Sequence, residues 1–192
     1  MKKAVEEKLV VFVCTGNTCR SPMAEAIFRY EAKRRGLPVV VRSAGTEAAA
    51  CECMHAYSLR TLINHGLSIE NFVPSPLSAE LLDGASAIVC MTEVQKQLTI
   101  YHCTRLLGEE SKDKVYAFSD FCGYSIPDPF GQAMEAYEAT YQALEGGMSA
   151  LIDALFPKNA EKPTAENVKK TAAKKKTTGA RKGRPKKEKI TE

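Results

Sequence analysis

Apolar residues in this chain come in short blocks that alternate with longer amphipathic stretches. The first block, Leu9 to Val13, sits between Lys8 and Cys14 and predicts a buried strand. Polar residues follow, and an amphipathic run to Arg35 with Pro22 in its first turn predicts a helix. Gly36 ends that helix, and Pro38 to Arg42 predicts a second strand. Met54 to His65 has helical periodicity, offers Tyr57, Leu59, Leu62 and Ile63 to a core, and stops at Gly66. His55 and His65 read there as solvent-facing or capping residues rather than catalytic ones. Pro74 and Pro76 mark a turn before a short helix, Ser78 to Leu82, capped by Ser78. Ala85 to Met91 predicts a third strand, Thr92 caps a helix from Glu93 to His102, and Val115 to Phe118 predicts a fourth strand. After the loop Ser119 to Phe130, Gln132 to Phe156 reads as a closing helix loosened at Gly146-Gly147.

Strands alternating with helices define an α/β chain with a parallel sheet. Right-handed crossovers then put the C-terminal ends of all four strands on one edge. Cys14 ends the first strand and the Ser119 to Phe130 loop leaves the fourth, so both belong to that edge.

Composition adds a division of the chain. Of its 192 residues, 44% are hydrophobic, enough for one domain with a proper core plus an extension. The net charge of +4 is unevenly spread: 13 Lys or Arg against 4 Asp or Glu from Lys158 onward, and 14 against 19 before it. The expected organisation is an N-terminal extension (1–7), a domain (8–156) and a disordered Lys-rich tail (157–192) with almost no large apolar residues. The tail sequence Lys182-Gly183-Arg184-Pro185-Lys186-Lys187 resembles the minor-groove AT-hook, which makes nucleic acid one candidate partner and an acidic protein another. No apolar run reaches the length of a membrane span, and the first residues lack the apolar core of a signal peptide, so a cytoplasmic protein is expected. Seven irregularly spaced cysteines do not suggest a disulfide scaffold. Cys51 and Cys53 lie close together without a second ligand pair nearby, a weak zinc pattern.

The chemistry gathers in Cys14-Thr15-Gly16-Asn17-Thr18-Cys19-Arg20-Ser21, a strand-to-helix loop. Such a loop turns successive backbone N–H groups inward at the positive end of a helix, which suits a dianionic phosphate. Gly16 permits close backbone approach. Cys14, beside a helix N-terminus and a guanidinium, is suited to act as a thiolate nucleophile. Arg20 offers a planar fork for two phosphoryl oxygens. Ser21 can donate a hydroxyl hydrogen bond to the thiolate, and Asn17 can brace the loop from inside. The bland alternative, a buried cysteine near a surface arginine, leaves the strand, Gly16, Ser21 and the helix unexplained.

At these residues the chain resembles the low-molecular-weight protein tyrosine phosphatases. Arg42-Ser43-Ala44-Gly45-Thr46 is similar to that family's second-strand motif, and Asp128-Pro129-Phe130 to its general-acid loop. The resemblance runs over residues 8 to 156. It implies a twisted four-stranded parallel sheet flanked by helices on both faces, with Cys14 as nucleophile and Asp128 as proton donor. It also implies a hydrogen bond between Ser43 and Asn17, where the sequence alone equally allows a strand-end turn. No cofactor or metal is expected, since Arg20 and the loop amides supply the positive charge. The expected partner is a phosphorylated protein substrate.

Gly16-Asn17-Thr18-Cys19-Arg20 resembles the protein-arginine phosphatases of the family, whereas tyrosine-directed members commonly carry a larger aliphatic residue in place of Thr18. Threonine is smaller and adds a hydroxyl, which suits a nitrogen-linked phosphate and helps place the hydrolytic water. Phe130 then forms an apolar wall beside the guanidinium or phenol. Phosphoarginine is favoured over phosphotyrosine. Two further classes stay open: an arsenate reductase, which needs relay cysteines that Cys51, Cys53, Cys90, Cys103 and Cys122 do not obviously supply, and a non-enzymatic protein driven by the basic tail. Cys19 either pairs reversibly with Cys14 as a redox switch or packs as a buried thiol under the loop.

Overall fold

The computed structural model describes residues 7–49 and 53–157. Cys51, all but one residue of the N-terminal extension and the tail beyond Pro157 lie outside them, so the zinc pattern and the AT-hook resemblance are not addressed structurally. No helix among the described residues is long and apolar enough to cross a membrane.

Four strands form one sheet in the order β2-β1-β3-β4, every pairing parallel. They are β1 (Lys8–Cys14), β2 (Val39–Gly45), β3 (Ala87–Cys90) and β4 (Val115–Ala117). Six helices surround them: α1 (Arg20–Arg34), α2 (Ala56–Asn64), α3 (Ala79–Gly84), α4 (Glu93–Leu107), α5 (Ser119–Cys122) and α6 (Met134–Leu155). β1 is central, and its side chains divide between two cores. Val10, Phe12 and Cys14 pack with α1 and α6, while Val11 and Val13 pack with residues of α3 and α4. Both faces are covered, which is why the strand reads as an unbroken apolar run instead of an alternating one. Burying each such side chain contributes roughly 1.5–3 kcal/mol before the entropy of ordering it is counted.

Several boundaries differ from the sequence reading. β2 runs on through Ser43-Ala44-Gly45, so the motif is the strand's C-terminal end and stands level with Cys14 in the pairing Cys14↔Gly45. A Cβ at position 45 would run into the Thr15 carbonyl oxygen and stand 2.9 Å from the Asn17 nitrogen. Glycine lets the strand end pass directly under the loop. α2 buries Ser58, Thr61 and Leu62, while Tyr57, Leu59 and Ile63 stay exposed, against the expectation that all four large residues enter the core. The helix packs on α1 and α6, with two small hydroxyl residues on its buried face. Its start is capped by His55, whose Nδ1 accepts from Tyr57 N, in keeping with the capping role read from the sequence.

Ser78 and Thr92 cap α3 and α4 as expected, accepting from Leu81 N and Gln95 N. α4 continues five residues past His102, and a 3-10 segment (Glu109–Lys114) leads into β4. α6 is unbroken at Gly146-Gly147. A Cβ on Gly147 would run into the Phe118 ring and stand 3.2 Å from Cys122 Cβ, so this glycine serves close packing against α5 and does not loosen the helix.

Candidate active site

Five residues connect β1 to α1, and the chain reverses within them at Asn17, whose φ of 56° lies in the left-handed region that asparagine tolerates better than most residues. The Asn17 side chain is fully buried and uses its whole amide. Nδ2 donates to Ser21 Oγ at 2.8 Å and to Ser43 Oγ at 2.9 Å, and Oδ1 accepts from Ser75 N at 2.8 Å. The Ser43–Asn17 bond implied by the family resemblance is therefore present. Ser43 passes its own proton to Glu25 Oε2 at 2.6 Å. Ser21 Oγ, having accepted from Asn17, keeps its hydrogen for another acceptor, and Cys14 Sγ stands 3.0 Å away. The Ala44 carbonyl oxygen, at 3.4 Å, is the other acceptor within reach, so the Ser21 hydroxyl stands between it and the closer sulfur.

The front of the loop faces a cavity of about 230 Å³. Cys14, Thr15, Gly16, Thr18, Cys19 and Arg20 line it from the loop, and Asp128 and Phe130 from the segment ahead of α6. Asn17 and Ser21, grouped with the substrate-binding residues in the sequence reading, do not line it; they are buried behind the loop together with Ser43. Arg20 is buried with its Nη2 2.5 Å from Asp128 Oδ2, while its Nε is a buried donor with no hydrogen-bond partner among the described residues. α1 begins at Arg20 with no side-chain cap, leaving its first amides for an acceptor at the helix start. Asp128 is half exposed, and its Oδ1 accepts from Phe130 N at 3.3 Å. Phe130 stands 68% exposed at the cavity mouth.

Four residues support the loop in ways the sequence reading missed. Glu25 ends the Asn17–Ser43 chain, where burial pushes its carboxyl above the ordinary range against the pull of Ser43 and Arg29. Its place one turn after Ser21, on the buried side of α1, is the signal that was available. Gln95, at the start of α4, donates to Thr15 Oγ1 at 3.0 Å. Ser75 and His55 act through their backbone N–H groups, on Asn17 Oδ1 and Thr18 O, and no side-chain pattern announces such bonds. Cys19 packs with its sulfur 3.9 Å from Tyr137 Oη, and burial pushes its thiol up; both it and Cys14 are free thiols.

A doubly wound parallel sheet with a cysteine, an arginine and an aspartate converging on one cavity at its C-terminal edge defines the cysteine-based phosphatase class. The chain belongs to the low-molecular-weight phosphotyrosine protein phosphatase family, whose sequence model matches residues 9–162. A protein-arginine-phosphatase of Bacillus subtilis is 38% identical over 139 residues, 71% of this chain and 89% of that protein. The low-molecular-weight protein-tyrosine-phosphatase PtpB of Staphylococcus haemolyticus is 33% identical over 137 residues, 70% of this chain and 91% of that protein. Among solved structures, a cysteine-to-serine mutant of the YwlE arginine phosphatase with a phosphorylated active-site serine superposes with a TM-score of 0.71 at 35% identity, covering 79% of this chain and 97% of that one.

Proposed function

We propose that this chain dephosphorylates phosphoarginine in proteins through a phosphocysteine intermediate, with Cys14 as nucleophile, Arg20 as phosphoryl clamp and Asp128 as acid and base. The observation that carries the reading is the shared cavity of Cys14, Arg20 and Asp128, in which the buried Arg20 Nε has no acceptor among the described residues. A phosphoryl oxygen supplies one. In the first step the Cys14 sulfur attacks phosphorus, the S–P bond forms as the P–N bond breaks, and the leaving nitrogen takes its electron pair and a proton from Asp128. Arg20 and the loop amides hold the equatorial oxygens as charge shifts in the transition state. In the second step water attacks phosphorus and gives its proton to Asp128; the S–P bond breaks, restoring the thiolate and releasing phosphate.

Thr18 lines the cavity and supports the choice of a nitrogen-linked phosphate, as do relatives named protein-arginine phosphatases. Phosphotyrosine is the second reading, favoured by the exposed Phe130 ring, which suits a phenol as well as a guanidinium. An arsenate reductase fits less well. Among the described cysteines only Cys19 shares the cavity with Cys14, and Cys90 and Cys103 are buried in the core on the other face of the sheet. The thiolate chemistry suits the reducing cytoplasm. A polyanion, nucleic acid or acidic protein, suits the basic tail, outside the described residues.

The test sets phosphoarginine protein, phosphotyrosine peptide and arsenate side by side. Higher kcat/KM for phosphoarginine is expected, and Thr18→Ile should move the preference toward phosphotyrosine. Turnover of arsenate alone would end the phosphatase reading, and a ratio of the two specificity constants unmoved by Thr18→Ile would remove Thr18 from the argument.

A further inference from the structure

Beside the catalytic cavity lies an aromatic cluster that the two-step displacement does not use. His55 is its centre. The ring stacks on Tyr137 with centroids 4.9 Å apart and planes 15° from parallel. It meets Phe130 edge-on at 6.1 Å and 73°, and Tyr57 at 5.5 Å and 66°. His55 is tied to the loop as well, because its backbone N donates to Thr18 O at 2.9 Å. Thr18 and Phe130 both line the cavity, and His55, one layer behind its lining, touches the first through its backbone and the second through its ring. Phe130 is 68% and Tyr57 42% exposed, an apolar surface left open beside the cavity that holds Cys14, Arg20 and Asp128.

A histidine is an unexpected choice for the position it holds. Helix starts favour serine, threonine, aspartate or asparagine as caps, and this chain uses Ser78 and Thr92 that way. At α2 the acceptor is instead His55 Nδ1, 3.2 Å from Tyr57 N. Asparagine would satisfy that amide equally well, so the cap alone does not call for a ring. With Nδ1 accepting, the neutral ring carries its hydrogen on Nε2, an assignment made from the hydrogen bond. A neutral aromatic wall is what a flat cation needs, since the ring face attracts positive charge.

We infer that His55 is a specificity-determining residue, forming with Phe130 the aromatic corner that receives the guanidinium of phosphoarginine. The inference rests on the phosphoarginine reading and deepens it. Phosphoarginine carries its phosphoryl group on a planar cation, whereas the phenol of phosphotyrosine is planar and neutral. Both gain from stacking; only the cation gains from the charge-to-ring attraction. Phe130 offers one wall, and His55, stacked on the buried Tyr137, offers a second.

Two substitutions separate this role from capping. His55→Asn keeps an acceptor for Tyr57 N and removes the ring; His55→Phe keeps a ring and removes the acceptor. For His55→Asn the ratio of kcat/KM for phosphoarginine protein to that for phosphotyrosine peptide should fall about fivefold, the size expected of one partly exposed cation–ring contact. For His55→Phe the ratio should stay near the wild-type value while the thermal midpoint drops. An unchanged ratio in His55→Asn, or equal losses on both substrates, overturns the assignment while leaving the phosphoarginine reading in place. A wild-type protein inactive on phosphoarginine overturns both.

Discussion

Replacing Asn17 with alanine tests whether the loop is held open by one amide. The substitution removes three hydrogen bonds from a fully buried site and leaves Ser75 N without its acceptor. At about 1 kcal/mol net for each bond the loss is ~3 kcal/mol. Alanine at a φ of 56° adds about 1 kcal/mol, because its Cβ crowds the carbonyl in the left-handed region that asparagine accepts. A total of about 4 kcal/mol corresponds to a drop of ~8–16 °C in thermal midpoint for a domain of this size. Activity should suffer separately. Ser21 loses the donor that holds its hydroxyl 3.0 Å from Cys14 Sγ, and the loop amides lose their fixed aim. A displacement of ~1 Å at such a site lowers turnover about a hundredfold. Thermal melts followed by circular dichroism, with kcat measured at a temperature where the variant is fully folded, separate the two effects. A variant that melts within ~2 °C of wild type and keeps more than about a fifth of its kcat would show that the Asn17 amide neither holds the loop nor aims Ser21, and the argument would fail.

Three further outcomes follow from the same contacts. Cys14→Ser should abolish turnover while phosphate still binds by calorimetry, and substantial residual hydrolysis would move the nucleophile elsewhere. Gly147→Ala should destabilise the protein by about 1–3 kcal/mol in a denaturant melt, because the added methyl runs into the fully buried Phe118. Gly146→Ala, which meets only the Tyr124 hydroxyl, at 3.3 Å, should cost less than Gly147→Ala; equal effects at the two sites would contradict the close packing of Gly147. Burial raises the Glu25 carboxyl in the folded chain above its ordinary 4.5, so its contribution favours folding below that pH and is lost as pH rises through the raised value. The stability of Glu25→Gln relative to wild type should therefore increase from pH 4 toward neutrality, and a flat difference would argue against a desolvated carboxylate there.

How much of this was legible in the sequence depended on whether the cause was local. The strand Leu9 to Val13, the caps at Ser78 and Thr92, and the strand-to-helix loop carrying Cys14, Arg20 and Ser21 follow from periodicity and from residue types a few positions apart. The family resemblance added Asp128, which an aspartate beside a proline would not have signalled by itself. Local pattern failed where packing decided. α2 turned Tyr57, Leu59 and Ile63 outward, and Gly146-Gly147 left α6 unbroken. In isolation a Gly-Gly pair weakens a helix; against the Phe118 ring, the absence of a side chain is what allows contact.

The sequence by itself determined the alternation of strands and helices, the edge on which the loop must lie and the reactive groups carried there, because these depend on spacing and side-chain chemistry. Only the tertiary structure decided which groups stand before the loop and which behind it. Asn17 and Ser21 went behind, joined by Ser43, Ser75 and Glu25 from distant segments, and His55 came to stand against Phe130. The physical reason is that a buried polar group takes whichever partner the packed chain brings within about 3 Å, and that choice is made by the close approach of whole elements.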